Sequence, residues 1–308
     1  MNKGLHRFTV FVTGATLFLI VAGALVTSHD AGLAVPDWPL SFGKLMPKMV
    51  GNVFWEHGHR MVATTVGILV ITLNIWLWRS EKRAWVRKLG LVALCAVIAQ
   101  GLLGGLTVIL MLPLAVSSAH ATLAQLFFCT MVSLSVFTAP GWREPRPALE
   151  EQKGRVPLRY LCAAAAAAIL IQLVLGATLR HSATWDQHLP LSLLLTHLAG
   201  ALTVTLLLGA SVVTTLHRYR DETYLTRPAQ VALALLVVQL SLGVAAYMTR
   251  LASPSGPQPR NPMVGITVAH VACGALVFAA TIVLTLRAFR VLRGERAPAP
   301  DYVRASAG

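Results

Sequence analysis

Residues 91–112 read LVALCAVIAQGLLGGLTVILML, and residues 230–249 read QVALALLVVQLSLGVAAYMT. Each run is long enough to cross a hydrocarbon core and contains no Asp, Glu, Lys or Arg. The two also share a skeleton. Val92-Ala93-Leu94, Gln100 and Gly104 recur as Val231-Ala232-Leu233, Gln239 and Gly243 at identical spacing. The next run opens with Ala119-His120 in one case and Ala269-His270 in the other. Gly23 and His29 close an earlier run much as Gly176 and His181 close its counterpart, and His59 and His197 take equivalent places. The chain contains one four-span unit twice. Because four is even, both copies point the same way, which predicts a pseudo-two-fold axis along the membrane normal.

Apolar runs of spanning length recur at 8–27, 59–78, 88–112, 117–138, 159–179, 191–216, 228–249 and 264–289. With 56% hydrophobic and only 12% charged residues and a mean hydropathy of +0.66, the chain is too apolar for a soluble domain. The predicted fold is an all-α integral membrane protein of eight transmembrane helices, arranged as two pseudo-two-fold-related four-helix bundles. Residues 1–139 would form the first bundle, 140–158 a cytoplasmic linker, 159–290 the second bundle and 291–308 a cytoplasmic tail. Gly101, Gly104, Gly105 and the Ala163–Ala168 run would let helices approach closely.

A net charge of +14 would suggest nucleic acid in a soluble protein, but here its distribution reports topology. Lys3 and Arg7, the group from Arg79 to Lys88, Arg143 to Arg159, Arg218 to Arg227, and Arg287 to Arg304 fall on one set of connections. The alternate set holds only Lys44, Lys48, Arg180, Arg250 and Arg260. The richer set belongs in the cytoplasm, so both termini are expected inside, in a cell (cytoplasmic/inner) membrane. Trp38, Trp55 and Trp185 then border the outer face, and Trp76, Trp78 and Trp85 the inner one. The first run follows Lys3 and Arg7 as a signal peptide would, yet it is long enough to span and has a counterpart in the second half. It reads as a retained helix. Cys95, Cys129, Cys162 and Cys273 all lie in apolar runs, where they read as small buried hydrophobes rather than a disulfide framework.

Under this topology His59, His120, His197 and His270 all lie in the outer half of the membrane, near the starts of helices that begin outside. A histidine in hydrocarbon is costly unless something binds it. One alone reads as a hydrogen-bonded structural residue. Two pairs, one per repeat, point to imidazoles facing each other across a bundle, the usual way such a bundle holds haem. His29, His57 and His181 sit at boundaries where water can satisfy them, and His6, His188 and His217 read as solvated.

Glu56 precedes His59 by three positions and shares its helix face. A first-turn carboxylate favoured by the helix dipole is one reading. A carboxylate at the edge of a bound macrocycle, able to accept a proton or stabilise positive charge, is the other. Di-iron bundles need two Glu-x-x-His motifs and two further glutamates, and this chain has one motif. Zinc-protease, nucleotide and iron–sulfur motifs are absent from the sequence. Arg60 suits headgroup snorkelling, a haem propionate or a lid contact. The outer loop from Ser28 to Trp55 carries Gly32-Leu33-Ala34-Val35-Pro36-Asp37-Trp38-Pro39, a rigid turn placed to cap the first bundle. The matching loop of the second repeat is shorter.

Glu56-x-x-His59-Arg60, the Gly32–Pro39 loop motif and the histidines at 120, 197 and 270 together resemble the haem A synthase family, over about Phe8 to Arg290. The resemblance implies a haem b cofactor in the C-terminal bundle, held by His197 and His270. It implies haem O as substrate in the N-terminal bundle, with His59 and His120 at its iron, Glu56 as the essential acid, and Arg60, Asp37 and Trp38 as propionate or lid contacts. Successive oxidation of one ring methyl would give an alcohol and then a gem-diol, which loses water to leave the formyl group of haem A. Haem O synthase, a terminal oxidase or its assembly factors, and a homo-oligomer are the implied partners, beside membrane lipid and without nucleic acid. Some members carry a cysteine pair in the first outer loop, and this loop has none, which puts disulfide-dependent redox handling there in doubt. Two other functions fit the histidines: a diheme b-type electron carrier, and a haem or ion transporter using transient ligands. Glu56, with no counterpart before His197, speaks against a symmetric conduit.

Overall fold

The computed structural model describes residues 3–151, 156–182, 190–251 and 261–293. Eight long helices follow one another: α1 Lys3–Ser28, α2 Asn52–Ser80, α3 Ala84–Ile109, α4 Leu114–Thr138, α5 Leu158–Ser182, α6 Leu191–Arg218, α7 Thr223–Leu251 and α8 Asn261–Val291. All eight are long and apolar enough to cross a membrane. The chain is an all-α integral membrane protein. Continuous helix is the required solution in lipid, because each backbone N–H and C=O must find its partner within the span. Large apolar side chains such as Phe11, Phe18, Ile68, Leu102, Leu202, Leu206 and Val244 point outward, where hydrocarbon receives them.

The helices run past the apolar stretches that mark them in sequence. α2 begins at Asn52, seven residues before the predicted start, so Glu56 and His59 lie within its first turns rather than at its mouth. The polar Trp55–Arg60 segment has low hydropathy but is helical all the same. α3 stops at Ile109, short of the predicted 112. Met111 and Leu112 take left-handed conformations, and their N–H groups bond back to Val108 and Thr107 at 3.1 and 2.7 Å. Pro113 then starts α4.

In the first half α1 and α3 each pack against both α2 and α4, closing a ring in which α2 and α4 stand at opposite corners. α5 to α8 repeat this arrangement, with α6 and α8 opposed. The rings meet through α1 on α8, α4 on α5, and α4 on α8. Exchanging the two halves maps these contacts onto themselves, as a two-fold relation requires. Ile20, Phe128, Ala275 and Ala279 fill the seam. Within each ring the buried apolar core occupies one half of the helix length. It comprises Val12, Val66, Val70, Leu73, Leu77, Phe127, Met131 and Leu134 in the first ring, and Cys162, Ile169, Leu208, Val212, Leu236, Val277 and Leu284 in the second. The histidines lie in the other half.

The end remote from the histidines is locked by charge. The buried Glu81 carboxylate accepts Arg83 at 2.8 Å and Arg143 at 2.5 Å, and Arg83 also bonds the Phe137 carbonyl at 2.8 Å. Arg290 bonds the Tyr224 hydroxyl and the Glu144 carbonyl at 2.9 and 2.7 Å and lies over the Trp142 ring. Strand β1, Leu149–Glu150, pairs in parallel with β2, Leu292–Arg293. The segment between the repeats is thus tied to the end of α8 rather than running free. Hydrogen bonds from Arg83 chiefly hold the Glu81 carboxyl down at about 2, against an ordinary value of 4.5. A depressed carboxylate stabilises the fold above its unfolded value and loses that contribution as pH falls through its folded one. The thermal-stability gap between wild type and Glu81→Gln in detergent is therefore expected to close between pH 4.5 and about 2.

Three cysteines are buried, but Cys95 is exposed on α3, contrary to the expectation for all four. Trp185, Asp186, His188, Arg260 and the tail beyond 293 lie outside the described residues.

Candidate functional site

All four site histidines sit at one end of the molecule, each against a glycine of the preceding helix. A Cβ placed on Gly23, Gly104, Gly176 or Gly243 would meet Cε1 of His59, His120, His197 or His270 at 3.1, 3.2, 3.1 and 3.1 Å. The contact recurs in every hairpin of the fold. Its cause is steric: only a residue without a side chain lets Cε1 of an imidazole come this close to the neighbouring helix. The two histidines of each pair come from helices at opposite corners of their bundle. Nδ1 of His59, His120 and His270 is buried without a hydrogen-bond partner among the described residues. His197 Nδ1 and Nε2 instead meet Gln172 Nε2 at 3.1 and 3.3 Å, and His270 Nε2 meets Gln239 Nε2 at 3.3 Å.

The first ring carries an acid that the second lacks. Glu56 is 4% exposed. Its Oε2 accepts the Val35 N–H at 2.8 Å and its Oε1 accepts Arg60 Nη2 at 2.6 Å. The corresponding positions in the second ring are Leu194 and Leu198. Arg60 spends its remaining donors on the loop, bonding the carbonyls of Asp37 and Leu40 at 2.8 Å each and that of Val35 at 3.3 Å. Arg60 is thus bonded into the Ser28–Trp55 loop. The Asp37 carboxylate receives the N–H groups of Gly43 and Phe42 at 2.8 and 2.6 Å, and those bonds keep its pKa below the ordinary carboxylate value. Asp37 therefore folds the loop and does not reach toward the imidazoles.

Trp38 closes the loop onto α3. A Cβ on Gly105 would come within 2.5 Å of the indole. Gly105→Ala is accordingly expected to lift Trp38 and speed hydrogen exchange across residues 31–50, with little change around Glu81. Leu112, in its left-handed conformation, packs against Gly32 and secures the same loop from the α3–α4 turn.

Several residues differ from their sequence reading. His57 is buried, with Nδ1 bonded to Ser41 Oγ at 2.8 Å and Nε2 without a partner among the described residues. His29 stacks on Trp55 at 4.0 Å between ring centroids. His6 bonds Thr138 at 3.4 Å and is not merely solvated. His181 is partly buried at the end of α5, and His217 lies in the last turn of α6. Gln172, the four glycines, and Arg180, which bonds Ser28 at 2.9 Å across the two rings, were missed as site residues. The Gln-x-x-x-Gly spacing shared by α3, α5 and α7 was the available signal for the first two.

Fold and site together define a duplicated, eight-span membrane protein with an imidazole pair at the same end of each half and one acid-bearing, lidded ring. Residues 48–188 match the family described as cytochrome oxidase assembly protein, COX15-CtaA. The Heme A synthase of Bacillus licheniformis is 25% identical over 273 residues, which is 82% of this chain and 88% of that protein. The Heme A synthase of Shouchella clausii is 35% identical over 138 residues, 44% of this chain and 46% of the relative. That of Lysinibacillus sphaericus is 37% identical over 111 residues, 35% and 36% of the two chains. The higher identities thus span about half of the relatives' length or less. The chain is similar to the haem A synthase family over these stretches.

Proposed function

We propose that this protein converts haem O to haem A by oxidising a ring methyl group to a formyl group. The observation that carries the reading is the buried Glu56, held between Val35 and Arg60 in the ring of His59 and His120, where the other ring has Leu194. Two symmetric electron-carrying haems have no use for that difference.

Haem O is the substrate of the first ring, with His59 and His120 facing its iron and Glu56 placed to accept a proton or to stabilise positive charge on the macrocycle. The loop pinned by Arg60, Asp37 and Trp38 keeps water out of that ring. The second ring fits a haem b. His197 and His270 come from opposed helices, Gly176 and Gly243 let their rings approach the neighbouring helices closely, and the apolar core stops short of them. Bound there, haem b supplies one-electron chemistry. The chain's own contribution is to orient two imidazoles toward each other in an apolar setting. We further place the histidine end at the outer face of the cell membrane with both termini inside, by the distribution of basic residues. Haem O synthase as donor and a terminal oxidase or its assembly factors as recipient are the partners this reading requires.

The test is production of formyl haem in cells that make haem O but lack their own synthase, read by mass and by pyridine haemochrome spectrum. Folded, haem-loaded protein that yields no formyl haem defeats the proposal. The fourfold glycine–imidazole contact favours one rival, a diheme electron carrier. That reading requires two equivalent six-coordinate haems and wild-type behaviour from a Glu56 variant.

A further inference from the structure

Three of the four imidazoles have a glutamine beside them, and one does not. Gln100, Gln172 and Gln239 each stand four residues before the glycine that touches His120, His197 or His270. Gln172 Nε2 bonds the His197 ring and its carbonyl, and Gln239 Nε2 bonds the His270 ring. Gln100 holds the matching position on α3, one turn before the glycine that touches His120, and Nδ1 of that ring has no hydrogen bond among the described residues. Room is made for two of the carboxamides, since a Cβ on Gly200 or Gly274 would strike Gln172 or Gln239. Oε1 of all three glutamines is buried without a partner among the described residues. A carboxamide keeps its shape when O and N exchange places, so Gln239 can present that oxygen to the His270 N–H, while Gln172 keeps its amide N–H on the His197 carbonyl. Four residues before Gly23, where His59 lies, stands Leu19. Among the described residues, the His59 ring has no hydrogen bond.

We propose that the glutamines are positioning residues that fix three ligands, and that Leu19 leaves His59 as the one releasable ligand of the four. The proposal rests on the haem reading above and deepens it. An imidazole bound to iron through one nitrogen is held in orientation by the acceptor its other N–H finds, and losing that acceptor costs roughly 10–100-fold in metal affinity. His197 and His270 each have a carboxamide against the ring, which suits a resident cofactor that stays six-coordinate. In the first ring His120 has a glutamine at the matching position, Gln100, whereas His59 has Leu19. A site that must admit and release its haem, and open a position at the iron, needs this inequality. Glu56 and the pinned loop lie on the His59 side, so the released position faces the acid.

The test uses full-length protein carrying haem in both rings, with carbon monoxide as the probe of ligand release from reduced iron. Half of the haem is expected to bind carbon monoxide. His59→Ala keeps the first-ring haem and raises binding, whereas His120→Ala loses that haem. Leu19→Gln supplies the missing amide and lowers binding by about 10-fold. Leu19→Met, apolar and of similar volume, controls for packing and keeps the wild-type response. Gln100→Leu, on the other side of the iron, lowers haem retention in the first ring. Equal haem loss from His59→Ala and His120→Ala, or a Leu19→Gln response matching Leu19→Met, overturns the proposal. Failure of formyl-haem production leaves the carbon monoxide result readable, so the two readings fall separately.

Discussion

Glu56→Gln is expected to lower formyl-haem production by about 10²–10⁴-fold, the range associated with loss of a positioned acid–base group, while haem content stays at the wild-type level. Glutamine is the informative replacement because Glu56 has two tasks. Its Oε2 accepts Val35 N–H and its Oε1 accepts Arg60, so it fastens the loop, and the proposed reaction adds an acid–base task. An amide oxygen can still take the Val35 bond. The amide carries no charge, however, and cannot accept a proton. Glu56→Ala removes both functions and should add lid opening, visible as faster exchange across residues 31–50. Arg60→Gln separates them from the other side, loosening the loop while the carboxylate remains. If Glu56→Gln retains full turnover, the acid serves only to hold the loop and the proposed chemistry is wrong. If Glu56→Gln and Arg60→Gln lose activity equally, with matched exchange, lid closure is the whole of its contribution.

The contrast between the two rings also shows what sequence could reveal. Eight spans were legible because lipid allows few alternatives to continuous apolar helix. The duplication was legible because spacing within a helix survives sequence change. Helix ends were not: α2 starts seven residues early because hydropathy falls in its polar first turns although hydrogen bonding does not. Glu56 and the histidines stood out as polar groups where they are costly. What each of them touches is a long-range matter. Nothing in local sequence ties Val35 to Glu56 across 21 positions, or Trp38 to Gly105, or Arg60 to the loop carbonyls. Gly104 was read as an aid to close packing, and Gly23, Gly176 and Gly243 only as matching positions of the repeat. Their particular task, one beneath each imidazole, appears only when the hairpins are closed.

The second large effect is loss of haem from the C-terminal ring. His197→Ala and His270→Ala are each expected to reduce haem content from two per chain to one, measured as pyridine haemochrome against protein. Each removes one of two opposed ligands, and no other described side chain is placed to substitute. The two variants differ in their structural risk. His270 lies on α8, which packs against α1 and α4 as well as its own ring, whereas α6 packs chiefly against α5 and α7. A general loss of fold would therefore be worse for His270→Ala, while a ligand effect should be equal in both. His270→Met provides the control, since methionine can ligate haem iron and raises the potential when it does. It should keep the haem at a more positive midpoint, which a change in packing alone would not produce. Gly243→Ala tests the same site from beneath. Its Cβ would meet the His270 ring at 3.1 Å, closer than ordinary contact, so the ring must tilt and the low-spin spectrum should shift with haem retained. Full haem content in a His197→Ala, His270→Ala double variant would remove the cofactor from this ring, and with it the electron path the proposed reaction needs.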